Sequence, residues 1–210
     1  MPADNARFWN RIARKYAKDP IADMEGYERT LAHTRRLLKS TDIAFEFGCG
    51  TGTSALKLAP SVVRLVATDI SPEMIAIARE KAAAEACANV EFAVATPDAA
   101  PWPDASFDAA FGFNVLHLVP DRRAVLRGVH RLLKPGGLFI SKTPALAEMN
   151  VFIRLLVPLM QAVGQAPYVA ILSSKDYERE ITENGFEIVE SGKHGSANRD
   201  VRTFFVARKT

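Results

Sequence analysis

The sequence predicts a doubly wound α/β fold: a mostly parallel seven-stranded sheet with helices on both faces, an antiparallel C-terminal edge strand and an N-terminal helical cap. Three observations predict it. Apolar runs of five to seven residues alternate with helical patterns between Ile43 and Thr143, the pattern of βαβ units around a parallel sheet. The first apolar run ends in Gly48, Gly50 and Gly52, a strand-to-helix turn of the kind that opens such sheets. Two further apolar runs, Phe186 to Glu190 and Val201 to Ala207, flank the polar segment Ser191 to Asp200 and read as an antiparallel hairpin at the sheet edge.

Each element has its own signal. Phe8, Ile12 and Tyr16 recur at helical spacing with Trp9 beside them, while Arg7, Arg11, Arg14, Lys15 and Lys18 crowd the other side, so the chain opens with an amphipathic helix. After Asp19-Pro20 a second helix is expected from about Ile21 to Lys39, with Leu31, Leu37 and Leu38 inward. The strands expected next are Ile43 to Phe47, Val62 to Thr68, Val90 to Ala95, Phe107 to Phe113 and Leu138 to Thr143. Helices fall between them at Thr53 to Ala59, Pro72 to Glu85 and Asp121 to Leu133. Ser71-Pro72-Glu73 supplies an N-cap, a proline at the first helical position and an early acid. Lys134-Pro135-Gly136-Gly137 turns the chain into the fifth strand, and Ser173-Ser174 opens a last helix that runs to Asn184-Gly185. The expected division is 1–40 helical cap, 41–143 cofactor-binding core, 144–172 apolar lid or insertion and 173–210 last helix and hairpin, all within one domain.

Composition narrows the function. The chain has 210 residues, 48% hydrophobic and 24% charged, enough to bury one sizeable core. A net charge of +3 is too weak to argue nucleic-acid binding without a clustered patch. Two cysteines, Cys49 and Cys87, imply no disulfide framework and fit a reducing cytoplasm. The run Val151 to Val163 is broken by Arg154 and Pro158 and falls short of the roughly 20 residues that a membrane span needs. The basic side of the first helix, with Arg35, Arg36 and Lys39, reads either as a solvated face or as peripheral docking on anionic lipid.

Ligands of doubly wound sheets sit beyond the carboxyl ends of the strands, so the glycine turn is the place for a site. Its glycines remove side chains and let backbone amides approach a ligand. A dinucleotide fingerprint would place another glycine where this chain has Thr53, which disfavours a nicotinamide oxidoreductase. Glu46 lies inside the apolar strand two residues before the turn, and a buried carboxylate there needs a cation or a set of donors. Asp69 ends the second strand, where an acid takes the hydroxyls of a ribose.

The segments "FEFGCGTG", "VATDIS", "DASFDAAFGFNVLHLVPD" and "LKPGGLF" follow one another at intervals that resemble the class I S-adenosylmethionine-dependent methyltransferases. The likeness is to their small-molecule, methyltransferase type 11 branch, which includes ubiquinone- and menaquinone-biosynthesis enzymes, and it covers about Phe8 to Thr143. It implies a Rossmann-like fold, S-adenosylmethionine as methyl donor and a small organic acceptor. By the same resemblance, Gly48, Cys49 and Gly50 lie against the donor's amino-acid portion and Glu46 organises the turn. Asp69 holds the ribose, Ile70 and Met74 pack on adenine, Asn114 and Leu116 follow the methionine moiety, and Tyr16 closes the pocket. One departure stands out: the family's Gly-Asp-Ala after the third strand is here Ala95, Thr96 and Pro97. Thr96 keeps an acceptor, Pro97 has no N–H to give, and Asp98 is the candidate substitute.

Methyl transfer from a sulfonium asks the protein for placement, exclusion of water and, for a protonated acceptor, removal of a proton. His117, following the fourth strand, is the candidate catalytic base. Phe152, Leu155, Leu156, Met160 and Tyr168 would line an apolar or aromatic acceptor pocket if the segment from Leu146 to Leu172 covers the site. His33, His130 and His194 have no ligand spacing, and no metal site is expected. A non-catalytic cofactor-binding or partner-binding module on the same fold is the rival reading. The acceptor atom and the oligomeric state are not legible.

Overall fold

The computed structural model describes residues 3–149, 166–196 and 200–210. Seven strands form one sheet in the order β3-β2-β1-β4-β5-β7-β6. They are β1 Ile43–Phe47, β2 Arg64–Asp69, β3 Val90–Val94, β4 Phe107–Phe113, β5 Leu133–Pro144, β6 Phe186–Lys193 and β7 Arg202–Lys209. β1 to β5 pair in parallel. The closing hairpin lies at the edge as expected, and β7 runs antiparallel between β5 and β6, so β6 is the outermost strand.

Helices α1 Ala3–Tyr16, α2 Met24–Leu37, α3 Thr53–Leu58, α4 Pro72–Ala84, α5 Arg122–Leu132 and α6 Ser174–Glu183 cover the sheet. Their starts follow the capping chemistry in the sequence. The Ser71 hydroxyl accepts from the Met74 amide, with Pro72 at the first turn. Ser173 and Asp176 form a reciprocal capping box. β5 begins earlier than the sequence suggested: its pairing with β4 jumps from Phe107–Leu133 to Ala109–Leu138. Residues 134–137 therefore bulge out of the ladder at the glycine turn.

Strand alternation divides the core in two. Phe45, Phe47, Phe107 and Phe139 pack under α5 and α6 with Val125, Leu126, Val129, Tyr177 and Ile181. Ala44, Leu65, Ala67, Phe111, Ile140 and Phe204 pack on the opposite face under α2, α3 and α4. By the same parity Glu46, Asp69, Phe113, Lys142 and Arg202 belong to that second face, all at one end of the sheet.

Two helical faces differ from the sequence expectation. In α1 the buried residues are Asn5 and Ala13, with Trp9 partly buried between them, one residue round from Phe8, Ile12 and Tyr16. Tyr16 is 49% exposed, because the helix packs Trp9 and Ala13 on Met74 and Ile77 of α4. In α2 the buried line is Gly26, Thr30 and Thr34 beside Leu31. The threonine hydroxyls satisfy themselves on carbonyls one turn back, Thr30 on Gly26 at 2.8 Å and Thr34 on Thr30 at 2.9 Å, so polar residues can face the sheet. Leu37 and Leu38 are partly buried at its margin.

The Phe45 ring is fully buried against Trp102 and Phe107. Phe45→Ala is expected to cost about 3–5 kcal/mol in urea unfolding. Val63→Ala, at a residue 56% exposed, should stay within about 0.5 kcal/mol.

Candidate functional site

A cavity of about 460 Å³ opens at the sheet end where β1, β2, β4 and β5 finish and β7 begins. The glycine turn forms one wall. Of its three glycines, only Gly50 faces open space: a Cβ there would meet nothing nearer than Tyr16 Cε1 at 3.9 Å. A Cβ on Gly48 would strike Val115 at 2.3 Å, and one on Gly52 would strike Ala78 and Phe92 within 2.9 Å. Gly48 and Gly52 therefore serve packing behind the turn, and the approach to a ligand is concentrated at Gly50. All three have φ in the left-handed region, where glycine carries no Cβ penalty.

Asp69 braces this turn. One carboxylate oxygen accepts from the Gly50 amide and the other from the Ser71 amide, both at 2.9 Å. Burial pushes its pKa up, and the Ser71 and Gly50 amides pull it back. Glu46 lies on the cavity wall beneath the turn, 2% exposed, with Oε2 buried and without a hydrogen-bond partner among the described residues. Burial, and then the nearby Asp69 charge, push the Glu46 carboxyl up to about 8.

Tyr16, Glu46, Gly48, Cys49, Gly50, Asp69, Ile70, Met74 and Asn114 line this cavity. Six expected residues among those described do not. Leu116 turns into the core under α5, carried by the short helical turn Leu116–Leu118. Burial pushes the adjacent His117 down to about 4, its Nδ1 is enclosed without a partner among the described residues, and its side chain is not on the cavity wall. Pro97 is buried against Gly128 of α5, Asp98 is exposed and Thr96 is half-buried. These three follow β3 but lie off the cavity wall. Phe152, Leu155, Leu156 and Met160 lie outside the described residues. Tyr168 is 38% exposed, and its amide donates to Asn5 Oδ1 at 3.2 Å. Cys49 and Cys87 are both free, and the described residues hold no metal-ligand cluster.

The far end of the cavity was not read from the sequence. Lys142, 4% exposed, donates from Nζ to Thr30 Oγ1 at 2.9 Å and to the Gly26 carbonyl at 3.4 Å. Burial and the neighbouring Arg202 lower its pKa, while Asp200 and Asp23 oppose them. Arg202 pairs with Asp23 at 2.8 Å and Asp200 at 2.7 Å. The sequence did carry a signal: Lys142 interrupts the apolar strand "LFISKT" as Glu46 interrupts "FEF".

The chain matches the family model for a methyltransferase domain over residues 44–137. The 27-O-demethylrifamycin SV methyltransferase of Amycolatopsis mediterranei is 31% identical over 82% of this chain and 65% of its own length. An uncharacterized methyltransferase of Schizosaccharomyces pombe is 31% identical over 79% of this chain and 68% of its own. The chain thus spans about two thirds of the length of these curated relatives. The crystal structure of an S-adenosylmethionine-dependent methyltransferase from Mesorhizobium loti superposes with a TM-score of 0.69 at 21% identity, over 85% of this chain and 96% of that one.

Because folded Glu46 keeps its proton to about pH 8 and the unfolded carboxyl releases it near 4.5, the unfolded state binds fewer protons across that window. Stability therefore falls as pH rises through it. Urea unfolding at pH 6 and pH 9 should show this loss, and Glu46→Gln, which has no proton to release, should lose several kcal/mol less between the two.

Proposed function

This chain belongs to the class I S-adenosylmethionine-dependent methyltransferases, and from that membership we propose that it transfers the methyl group of S-adenosylmethionine to a small organic acceptor held in the same cavity. The observation that carries this reading is the unpartnered Glu46 oxygen beneath the glycine turn. A buried carboxyl with a free acceptor at a cavity wall suits a ligand ammonium, and the amino-acid end of S-adenosylmethionine carries one.

Around that anchor, Gly48, Cys49 and Gly50 would border the donor's amino-acid portion, with Asn114 beside it. Asp69 would take the ribose hydroxyls while keeping the Gly50 and Ser71 amides. Ile70 and Met74 would pack on adenine, and Tyr16 would cover the mouth. Thr96, Pro97 and Asp98 contribute nothing to the wall, so adenine would be held mainly by packing. A bound sulfonium brings its own leaving group, and the chain would contribute alignment and a space closed to water.

Trp9, Ile21, Tyr27 and Phe113 give the cavity an apolar and aromatic lining, which supports an acceptor with an apolar or aromatic body. The two free cysteines support a reducing cytoplasm. No described helix is long and apolar enough to cross a membrane. The modest net charge of +3 gives no support to a nucleic-acid acceptor.

Titration calorimetry at pH 7, in two buffers of different ionisation enthalpy, tests the anchor. S-adenosylmethionine and S-adenosylhomocysteine should bind and NAD should not. Binding should expel up to one proton, because an ammonium beside Glu46 favours its ionised form. Glu46→Gln should expel none and bind about 10- to 150-fold more weakly, the equivalent of losing a charged hydrogen bond of about 1.5–3 kcal/mol. No binding by the wild type, or unchanged affinity in the variant, overturns the assignment. Turnover against quinols, phenols and amines then separates an enzyme from a non-catalytic binder on the same fold.

A further inference from the structure

An unbroken series of polar contacts runs from the cavity to the outer strand of the sheet. Lys142 Nζ donates to Thr30 Oγ1 at 2.9 Å. Thr30 Oγ1 lies 3.1 Å from His194 Nδ1, and His194 Nε2 lies 3.1 Å from His33 Nδ1. His33 Nε2 meets Glu190 Oε2 at 3.1 Å. Exposure rises along the series. Lys142 and Thr30 are 4% and 3% exposed, the His33 side chain is 14% exposed and the Glu190 side chain 47%. All four imidazole nitrogens are engaged within it, and both rings lie tilted against Phe204, with centroids 4.9 and 4.4 Å from its own.

We infer that Lys142, Thr30, His194, His33 and Glu190 form a proton path from the cavity to solvent, which rests on the methyl-transfer reading above and narrows the acceptor to one bearing an O–H or N–H. The chemistry balances as follows. The methyl–sulfur bond of the sulfonium breaks and its electron pair stays on sulfur, giving a neutral thioether. The methyl carbon bonds to the acceptor oxygen or nitrogen, whose bond to hydrogen breaks; the Lys142 ammonium gives one proton outward along the path, and the lone pair this frees on Nζ takes the acceptor's proton. Lys142 is the one member of the path on the reacting cavity whose nitrogen can accept it, and its direct contacts, Thr30 and Gly26, are both neutral oxygens.

The onward steps need only short shifts. The Thr30 hydroxyl, which donates to the Gly26 carbonyl at 2.8 Å, turns to His194 Nδ1 and passes its proton there as it receives one from Lys142. His194 then releases its Nε2 proton to His33 Nδ1, and His33 releases its Nε2 proton to the Glu190 carboxylate, which gives it to water. Such a relay requires a neutral imidazole at its centre, and burial, with the Lys142 charge beside it, pushes His194 down to about 4. The other charges facing the path are those of Arg29, whose Nε donates to the His194 carbonyl, and of Arg202 with Asp23 and Asp200.

Exchange of the Lys142 ammonium protons with water, followed by NMR on the full chain labelled with 15N-lysine and saturated with S-adenosylhomocysteine, tests the path. Lys142→Met assigns the signal. His194→Phe keeps a ring against Phe204 and His33→Phe does the same one link further out, so each removes a link and spares the packing. Neither residue lines the cavity. Exchange should slow at least fivefold in each variant that folds, and a smaller change in either folded variant overturns the proposal, since a relay fails with any link. If the wild type does not bind S-adenosylhomocysteine, the methyl-transfer reading fails, and the same comparison without ligand still decides the path.

Discussion

A carboxyl group that is 2% exposed, with one oxygen unpartnered, sets the terms for this end of the molecule. The sheet cannot satisfy Glu46 from its neighbours, because Ala67 and Phe111, which pair with it on β2 and β4, bring apolar side chains. The glycine turn above it is already occupied: Cys49 donates its amide to the Thr68 carbonyl, and Gly50 donates to Asp69. The folded protein therefore carries Glu46 with its proton at neutral pH, at a cost that desolvation makes large. A cation entering from the cavity would offset that cost, so the residue that weakens the core also leaves an acceptor open at the cavity wall.

Asp69 solves the opposite problem. Its side chain is only half-buried, and two backbone amides at 2.9 Å meet its oxygens and fix the turn. The two acids thus stand differently, Asp69 bracing the turn and Glu46 left open toward the cavity, and the difference lies in which N–H groups each can reach.

Much of this was legible in the sequence where periodicity and local turn chemistry decide the outcome. Strand parity carried Glu46 and Asp69 to one face, and Ser71, Pro72 and Ser173 fixed helix starts to within a residue. The misreadings arose where packing partners, absent from any local pattern, make the choice. The Phe8, Ile12 and Tyr16 stripe of α1 is the more apolar one by composition, yet the helix fully buries Asn5 and Ala13, because a small Ala13, with Trp9 partly buried beside it, lets it settle onto Met74 and Ile77. The burial of Thr30 and Thr34 on α2 was not read, because the back-bonding that hides their hydroxyls does not show in spacing. The crowding at Gly48 and Gly52 was likewise not legible, because it depends on Val115, Ala78 and Phe92 arriving from other elements.

The far end of the cavity follows from the one strand that breaks the parallel rule. A parallel strand beside β5 would bring its carboxyl end to the cavity, as β1 and β4 do. β7 runs the other way and delivers its first residues instead, so Arg202 arrives beside Lys142. Two adjacent cations then need anions, and Asp23 serves by doing double work: it caps α2 through the Gly26 amide and holds Arg202, while Ser196 donates to it from the hairpin loop. The N-terminal helical region and the C-terminal hairpin are thereby tied through one carboxylate at the cavity rim. Any change that frees α2 from the hairpin uncaps the helix, strips Arg202 of a partner and opens the far end of the cavity together, so this end of the cavity holds its shape through the contact between the two segments that lie outside the sheet's parallel core.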